Sequence, residues 1–247
     1  MTPAQLTIGA LNGHNSMPAF RKMIRRKYDA LALSEAHRLM KPLGSLGRYR
    51  MEVGTPGRDK RRGVLDGPVL IRRDRTSLGS VALQVSELVK AYERIAPDRW
   101  INGALFDHPL ATQLDAAGVA LLSFHPNAGM QLRNADREDH PLVREYSESV
   151  RSLARMVRWL SREGFVPFVA GDYNLPKSAA VPWSPYGALE EIGFSSMSEG
   201  VDALSYPFRL VEPVGGLQVT SRTRIGSDHP AIAATFRPVL ASDHGTR

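Results

Sequence analysis

The sequence predicts an α/β fold in a single domain, and three observations carry that expectation. Short apolar runs alternate with amphipathic segments from Leu6 to Phe236, the pattern of interleaved strands and helices. No internal repeat, coiled-coil heptad or long Pro/Gly/Ser linker divides the chain. Its 247 residues, 43% hydrophobic and 23% charged, are enough for one sizeable core without disulfides. Residues 1–237 are assigned to the domain, and the polar stretch 238–247 to a flexible C-terminal tail.

Each element has a local reason. Leu6–Leu11 is a short apolar run and reads as a buried strand. Phe20, Met23 and Ile24 share a helical face over Met17–Lys27, and Ser16 stands before them as an N-cap. Ala30–Leu33 is the next strand. Tyr49–Val53 and Val69–Ile71 read as strands of a hairpin-like meander, with a Gly54–Gly57 turn and a basic loop at its tip. Val81–Val85 has strand character, while Leu83–Arg94 also fits a helix. Val119–Phe124 is a clear strand. Leu142–Arg162 is the longest helix, with Val143, Tyr146, Val150, Leu153, Val157 and Leu160 on one face and Gly164 ending it. Phe165–Ala170 is a strand and Tyr186–Ile192 a short helix. Strands close the chain near Leu210–Val211, at Leu217–Thr220 and at Ala231–Phe236.

Composition narrows the function classes. Cysteine is absent, which excludes a disulfide scaffold, a cysteine nucleophile and thiolate metal sites. No apolar run approaches the 18 residues of a membrane span, and Met1–Leu6 lacks the pattern of a secretory signal, so a cytoplasmic monomer is expected. The net charge of +7 favours an anionic partner.

The polar residues gather where strands end. Leu6–Leu11 ends at Asn12, Ala30–Leu33 at Ser34–Glu35, Val119–Phe124 at His125–Pro126–Asn127, and Phe165–Ala170 at Gly171–Asp172–Tyr173–Asn174. A fifth cluster, Gly226–Ser227–Asp228–His229–Pro230, precedes Ala231–Phe236, and an antiparallel neighbour brings it to the same sheet edge. Asn12, Glu35 and Asp228 offer hard oxygen ligands, which suit Mg2+ or Mn2+. Asp172 with Asn174 suits orienting a water and a phosphate oxygen, and His125 and His229 suit donation to a phosphoryl group. There is no GxSxG elbow, no HExxH pair and no Walker-type phosphate loop. Taken singly, each motif is an ordinary turn or cap; five in this order point to a site.

In order and spacing, these motifs resemble the endonuclease/exonuclease/phosphatase superfamily across residues 6–236. The most specific are Gly171–Asp172–Tyr173–Asn174 and Ser227–Asp228–His229–Pro230. The resemblance implies a four-layer α/β (α+β) sandwich, two packed mixed β-sheets flanked by helices. It implies Glu35 as principal metal ligand with Asn12 and Asp228 as helpers. It also implies Asp172 on the attacking water, Asn174 and His229 on the phosphate, and His125 beside the leaving group. An aspartate should buttress the last histidine, and Asp202 in Gly200–Leu204 is the match. Three positions depart from the family pattern. Ser34 replaces a glutamine, Leu11 replaces a tryptophan, and Pro207 interrupts the strand after Asp202.

The expected activity is metal-dependent phosphodiester hydrolysis, with DNA or RNA as substrate. Arg58, Arg61 and Arg62, in a glycine-flanked loop without aromatics, are assigned with Asn127 to substrate binding. The alternatives are a phosphatase for a small metabolite or lipid headgroup, or a silent binding protein of the same fold. His108 and His140 have no counterpart in the pattern and are read as surface histidines.

Overall fold

A computed structural model describes residues 2–13, 16–36, 47–52, 67–84, 100–126, 140–225 and 227–239. Two mixed sheets stack face to face. The first is ordered β11 (Val211–Pro213), β13 (Ala231–Pro238), β1 (Leu6–Asn12), β2 (Ala30–Ser34), β4 (Val69–Arg72), β3 (Tyr49–Glu52), with β12 (Gln218–Thr220) also on β13. The second is ordered β5 (Ser77–Gln84), β6 (Trp100–Phe106), β7 (Gly118–Ser123), β8 (Phe165–Asp172), β10 (Asp202–Pro207), β9 (Phe194–Glu199). Among the described strands, only β1–β2 and β7–β8 are parallel pairs. Both are crossovers through a helix, α1 (Met17–Ile24) and α3 (Pro141–Arg162).

The inter-sheet core is built from alternate strand residues. Ile8 and Ala10, Ala30 and Ala32, Val119 and Leu121, Phe168 and Ala170, and Leu204 and Tyr206 all face it. The outer faces are buried by helices: Phe20 and Met23 of α1 pack on Leu31, Leu33 and Leu70. Tyr146, Val150, Leu153 and Val157 of α3 pack on Leu122 and Val169. The result is the expected four-layer arrangement.

Local signals acted as anticipated at several points. Ser16 caps α1 by accepting from the Ala19 N–H. Gly164 takes φ +83° just beyond α3. The sequence pattern did not show β6, because Asn102 and Gly103 break the apolar run Trp100–Phe106. Gly103 is needed there, since a Cβ would lie 2.4 Å from Leu122 Cδ2. Also new are β9 and the short helix α2 (Pro109–Gln113). Two shorter helices, α4 (Pro185–Glu190) and α5 (Arg222–Ile225), complete the described elements. Pro207 does not interrupt a strand but ends one, pairing with Phe194 at the last register position of β10. β13 continues to Pro238, one residue past the assigned domain limit; 240–247 lie outside the described residues, as does most of Leu83–Arg94. No described helix is long and apolar enough to cross a membrane.

His108 is a correction. It is buried rather than on the surface, and caps α2 by accepting from the Leu110 N–H at Nδ1, 3.1 Å. An accepting Nδ1 places the proton on Nε2, which faces Asp29 Oδ1 at 3.6 Å. Asp29 precedes β2 and also accepts from the Thr7 N–H (2.9 Å) and Arg75 (2.8 Å), so it joins both sheets at the edge opposite the strand ends described next. Burial alone would raise its pKa, but the adjacent His108 ring and hydrogen bonds from Thr7 and Arg75 hold it far below the usual carboxylate range.

Candidate active site

The alternation that builds the inter-sheet core also builds its polar lid. One step beyond Ala10, Ala32, Leu121 and Ala170 come Asn12, Ser34, Ser123 and Asp172, and one step before Leu204 comes Asp202. All five are buried. The parallel pair aligns Asn12 with Ser34, and the antiparallel pair aligns Asp202 with Asp172. One polar layer from two sheets therefore caps the core at a single edge. Ser123 Oγ donates to Leu33 O at 2.9 Å and ties β7 to β2 across the layer.

Asp172 is the hub. Its Oδ2 accepts from Asn12 Nδ2 at 2.9 Å, and its Oδ1 accepts from the Asn174 N–H at 2.8 Å. The same Oδ2 lies 3.8 Å from His125 Nε2 and 3.8 Å from His229 Nε2. His125 Nε2 also lies 3.9 Å from Glu35 Oε1. Asn174 donates through Nδ2 to Pro126 O at 2.8 Å, fixing β8's end to the residue after His125.

Gly171 makes this proximity possible. Its φ is +147°, and a Cβ there would stand 2.3 Å from Phe124 O. Only glycine lets the ends of β7 and β8 close to this distance. Tyr173 anchors the same corner from below. Its backbone carbonyl accepts from Tyr146 Oη, its own hydroxyl meets Ser205 Oγ at 2.8 Å, and its ring packs edge-on to Phe124. Glu35 and Asn174 both hold φ +52°, two of the three non-glycine residues with positive φ among those described. Such backbone is sterically costly for a residue with a Cβ and gathers at functional sites.

The Ser227–His229 turn arrives from the other side. Ser227 Oγ donates to Asn12 O at 2.8 Å, which docks the turn on the end of β1. His229 Nδ1 lies 3.0 Å from Asp202 Oδ2. That hydrogen bond, opposed by burial and aided by the nearby Asp202, Asp172 and Asp228 charges, raises the His229 pKa to about 9. Burial raises Asp202 to about 6, against the pull of His229. At neutral pH the pair is an imidazolium–carboxylate pair. The acceptor at Nδ1 leaves Nε2–H as the donor facing Asp172.

The sequence-predicted residues thus divide. Asn12, His125, Asp172, Asn174, Asp202 and His229 form one connected group, with Glu35 beside His125 and exposed Asp228 next to His229. Asn127, Arg58, Arg61 and Arg62 lie outside the described residues. Sequence reasoning gave no role to Ser123, Ser227 or Tyr173, although each stands within a quoted motif.

Asp172, Asp202 and His229 bring their ligand atoms within 4.8 Å of one another. His229 Nδ1 is engaged with Asp202 Oδ2, while each Asp172 oxygen takes one hydrogen bond, from Asn12 or from Asn174, and keeps a further lone pair. Glu35, Asp228 and the Asn12 carbonyl oxygen are a hard-oxygen set of the kind Mg2+ or Mn2+ takes.

No family model and no curated protein matches the sequence. Solved structures do match. An endonuclease/exonuclease/phosphatase family protein from Bacteroides thetaiotaomicron aligns with 14% identity over 97% of this chain and 100% of that one, with TM-score 0.65. D. rerio TDP2, complexed with a single-strand DNA product, aligns with 13% identity over 94% and 99%, with TM-score 0.62. The mannosyl-6-phosphatase Bt3783 of B. thetaiotaomicron aligns with 14% identity over 95% and 100%, with TM-score 0.61. The two stacked mixed sheets, their flanking helices and these full-length matches together establish that the chain has the endonuclease/exonuclease/phosphatase fold.

Proposed function

We propose that the chain is a divalent-metal-dependent phosphoric-ester hydrolase whose preferred substrate is a nucleic-acid phosphodiester. The observation that carries this is Asp172, a buried carboxylate held by Asn12 and Asn174 and facing two imidazoles. With both oxygens oriented, Asp172 is placed to align a water and take its proton. His229, charged through Asp202, presents Nε2–H to the phosphoryl oxygens, where negative charge grows in the transition state. His125 is placed to support the departing oxygen. Glu35, Asn12 and Asp228 would hold Mg2+ or Mn2+, which when bound supplies Lewis-acid stabilisation of the phosphoryl group.

Two observations favour nucleic acid: the +7 net charge, and likeness to a fold relative solved with a DNA product. A small phosphoester is the second reading, supported by the likeness to a sugar phosphatase. Incubation with plasmid, single-stranded DNA, RNA and hexose phosphate, each with Mg2+ and with EDTA, separates the two. Metal-dependent scission of a polynucleotide is expected. Turnover of hexose phosphate alone would replace the nuclease reading, and no turnover of any substrate would sink the hydrolase.

A further inference from the structure

The structure carries a second charged concavity, at the other end of the first sheet. Lys27, Arg48, Arg72, Arg73 and Asp74 line a depression of about 490 Å3. Lys27 follows α1, Arg48 immediately precedes β3, and Arg72 closes β4 beside the start of β2. The catalytic group lies past β2's other end, five residues away, which at about 3.3 Å per residue is roughly 17 Å.

Among the described residues, four cations and the Asp74 carboxylate line it, and the commitments of the cations differ. Arg72 bonds Asp74 through Nε at 2.7 Å and lies 3.5 Å from Asp29. Arg73 gives Nε to Tyr49 O at 3.0 Å, which fixes its guanidinium plane while leaving both terminal nitrogens for another acceptor. Its backbone N–H donates to Arg48 O at 2.8 Å, which pairs the two residues where β3 begins and β4 ends. Lys27 and Arg48 meet no carboxylate among the described residues and are exposed. Of the three groups not paired with a carboxylate among the described residues, Arg73 is the one held in place by a side-chain bond, and Arg48 and Lys27 flank it. Pinned arginines lose little side-chain freedom when an anion arrives, so more of each charge-assisted bond appears as affinity.

We propose that this depression is a binding site for a phosphate group, separate from the catalytic edge and independent of what that edge hydrolyses. Arg73 and Arg48 are its fork donors and Lys27 its point charge. The phosphate comes either from a free anion or from a nucleic-acid backbone, and two probes distinguish the sources.

The test compares the Asp172→Asn chain with the same chain carrying Lys27→Gln and Arg48→Gln. The probes are inorganic phosphate and a single-stranded DNA of about 12 nucleotides. Neither added substitution removes a side-chain bond to a described residue, so the unfolding midpoint should not move. Phosphate affinity should fall roughly tenfold for the loss of such contacts. For DNA, the slope of log K against log salt should flatten by about 1.4, at about 0.7 per lost phosphate contact. A change with DNA alone identifies the backbone as the source, and a change with phosphate alone identifies the free anion. Unchanged binding of both probes would overturn the site. The unsubstituted chain gives an independent check: its Arg48 and Arg73 amide resonances should move with phosphate, and amides that stay still overturn the site as well.

Discussion

Replacing Asp202 by asparagine isolates the His229–Asp202 pair. Asparagine keeps the shape but removes the charge that holds a proton on His229. The native His229 pKa of about 9 should fall back towards its unperturbed 6.5. That difference of about 2.5 corresponds to about 3.4 kcal/mol at full value. His229 is only part-buried, so solvent screens the pair, and roughly half, about 1.7 kcal/mol, is the expected coupling. The sign follows from linkage. A basic group with a raised folded pKa adds stability that is fully present below pH 6.5. That stability is lost as pH rises through about 9. Urea unfolding at about pH 6 and about pH 10 should show the native chain losing about 1.7 kcal/mol more than Asp202→Asn between them. An NMR titration of the His229 ring should report the same displacement directly. Equal losses in both chains, with His229 titrating unchanged, would refute the pairing as the source of the raised pKa.

Other substitutions test the remaining links. Asp172→Asn should lower kcat by about 10²–10⁴-fold, and because an amide has one acceptor oxygen for the two donors Asn12 Nδ2 and Asn174 N–H, it should also cost about 1–3 kcal/mol by urea unfolding. Gly171→Ala forces a Cβ to 2.3 Å from Phe124 O, so it should cost at least about 2 kcal/mol by urea unfolding and separate His125 from Asp172, lowering kcat as well. Asp29→Ala leaves His108 and Arg75 without their shared carboxylate and should cost about 3 kcal/mol, read by thermal unfolding. The Asp29 pKa is depressed, so its contribution is present above about pH 4 and lost as pH falls through the folded value. Asp29→Asn should therefore flatten the acid limb of the stability profile.

Much of the site is legible in the linear order of residues, because strand ends leave a local mark. An apolar run that stops at Asn12 or Asp172 marks where a chain leaves a core, and hard-oxygen or imidazole side chains there have few chemical uses. The long amphipathic face of α3 and the cap at Ser16 are equally local. What stayed hidden depends on pairing across distance. His108 looks like a surface histidine until Asp29, 79 residues earlier, comes to face its Nε2. The arginines of 58–75 look like one basic region, yet antiparallel pairing of β4 with β2 carries Arg72 and Arg73 to the edge away from Asp172.

The sequence by itself determined which residues could do chemistry here and that they would sit at strand termini, because residue type and hydrophobic periodicity are properties of short segments. It also determined the net positive charge and the absence of thiol chemistry. Only the tertiary structure decided which termini meet. Two sheets contribute to one polar layer, Asp172 receives Asn12 from the opposite sheet, and His229 reaches Asp202 across it. Register is the physical reason. A shift of one residue in β1 would send Asn12 to the helix-covered face and leave Asp172 without its donor, and nothing local to either strand sets that alignment.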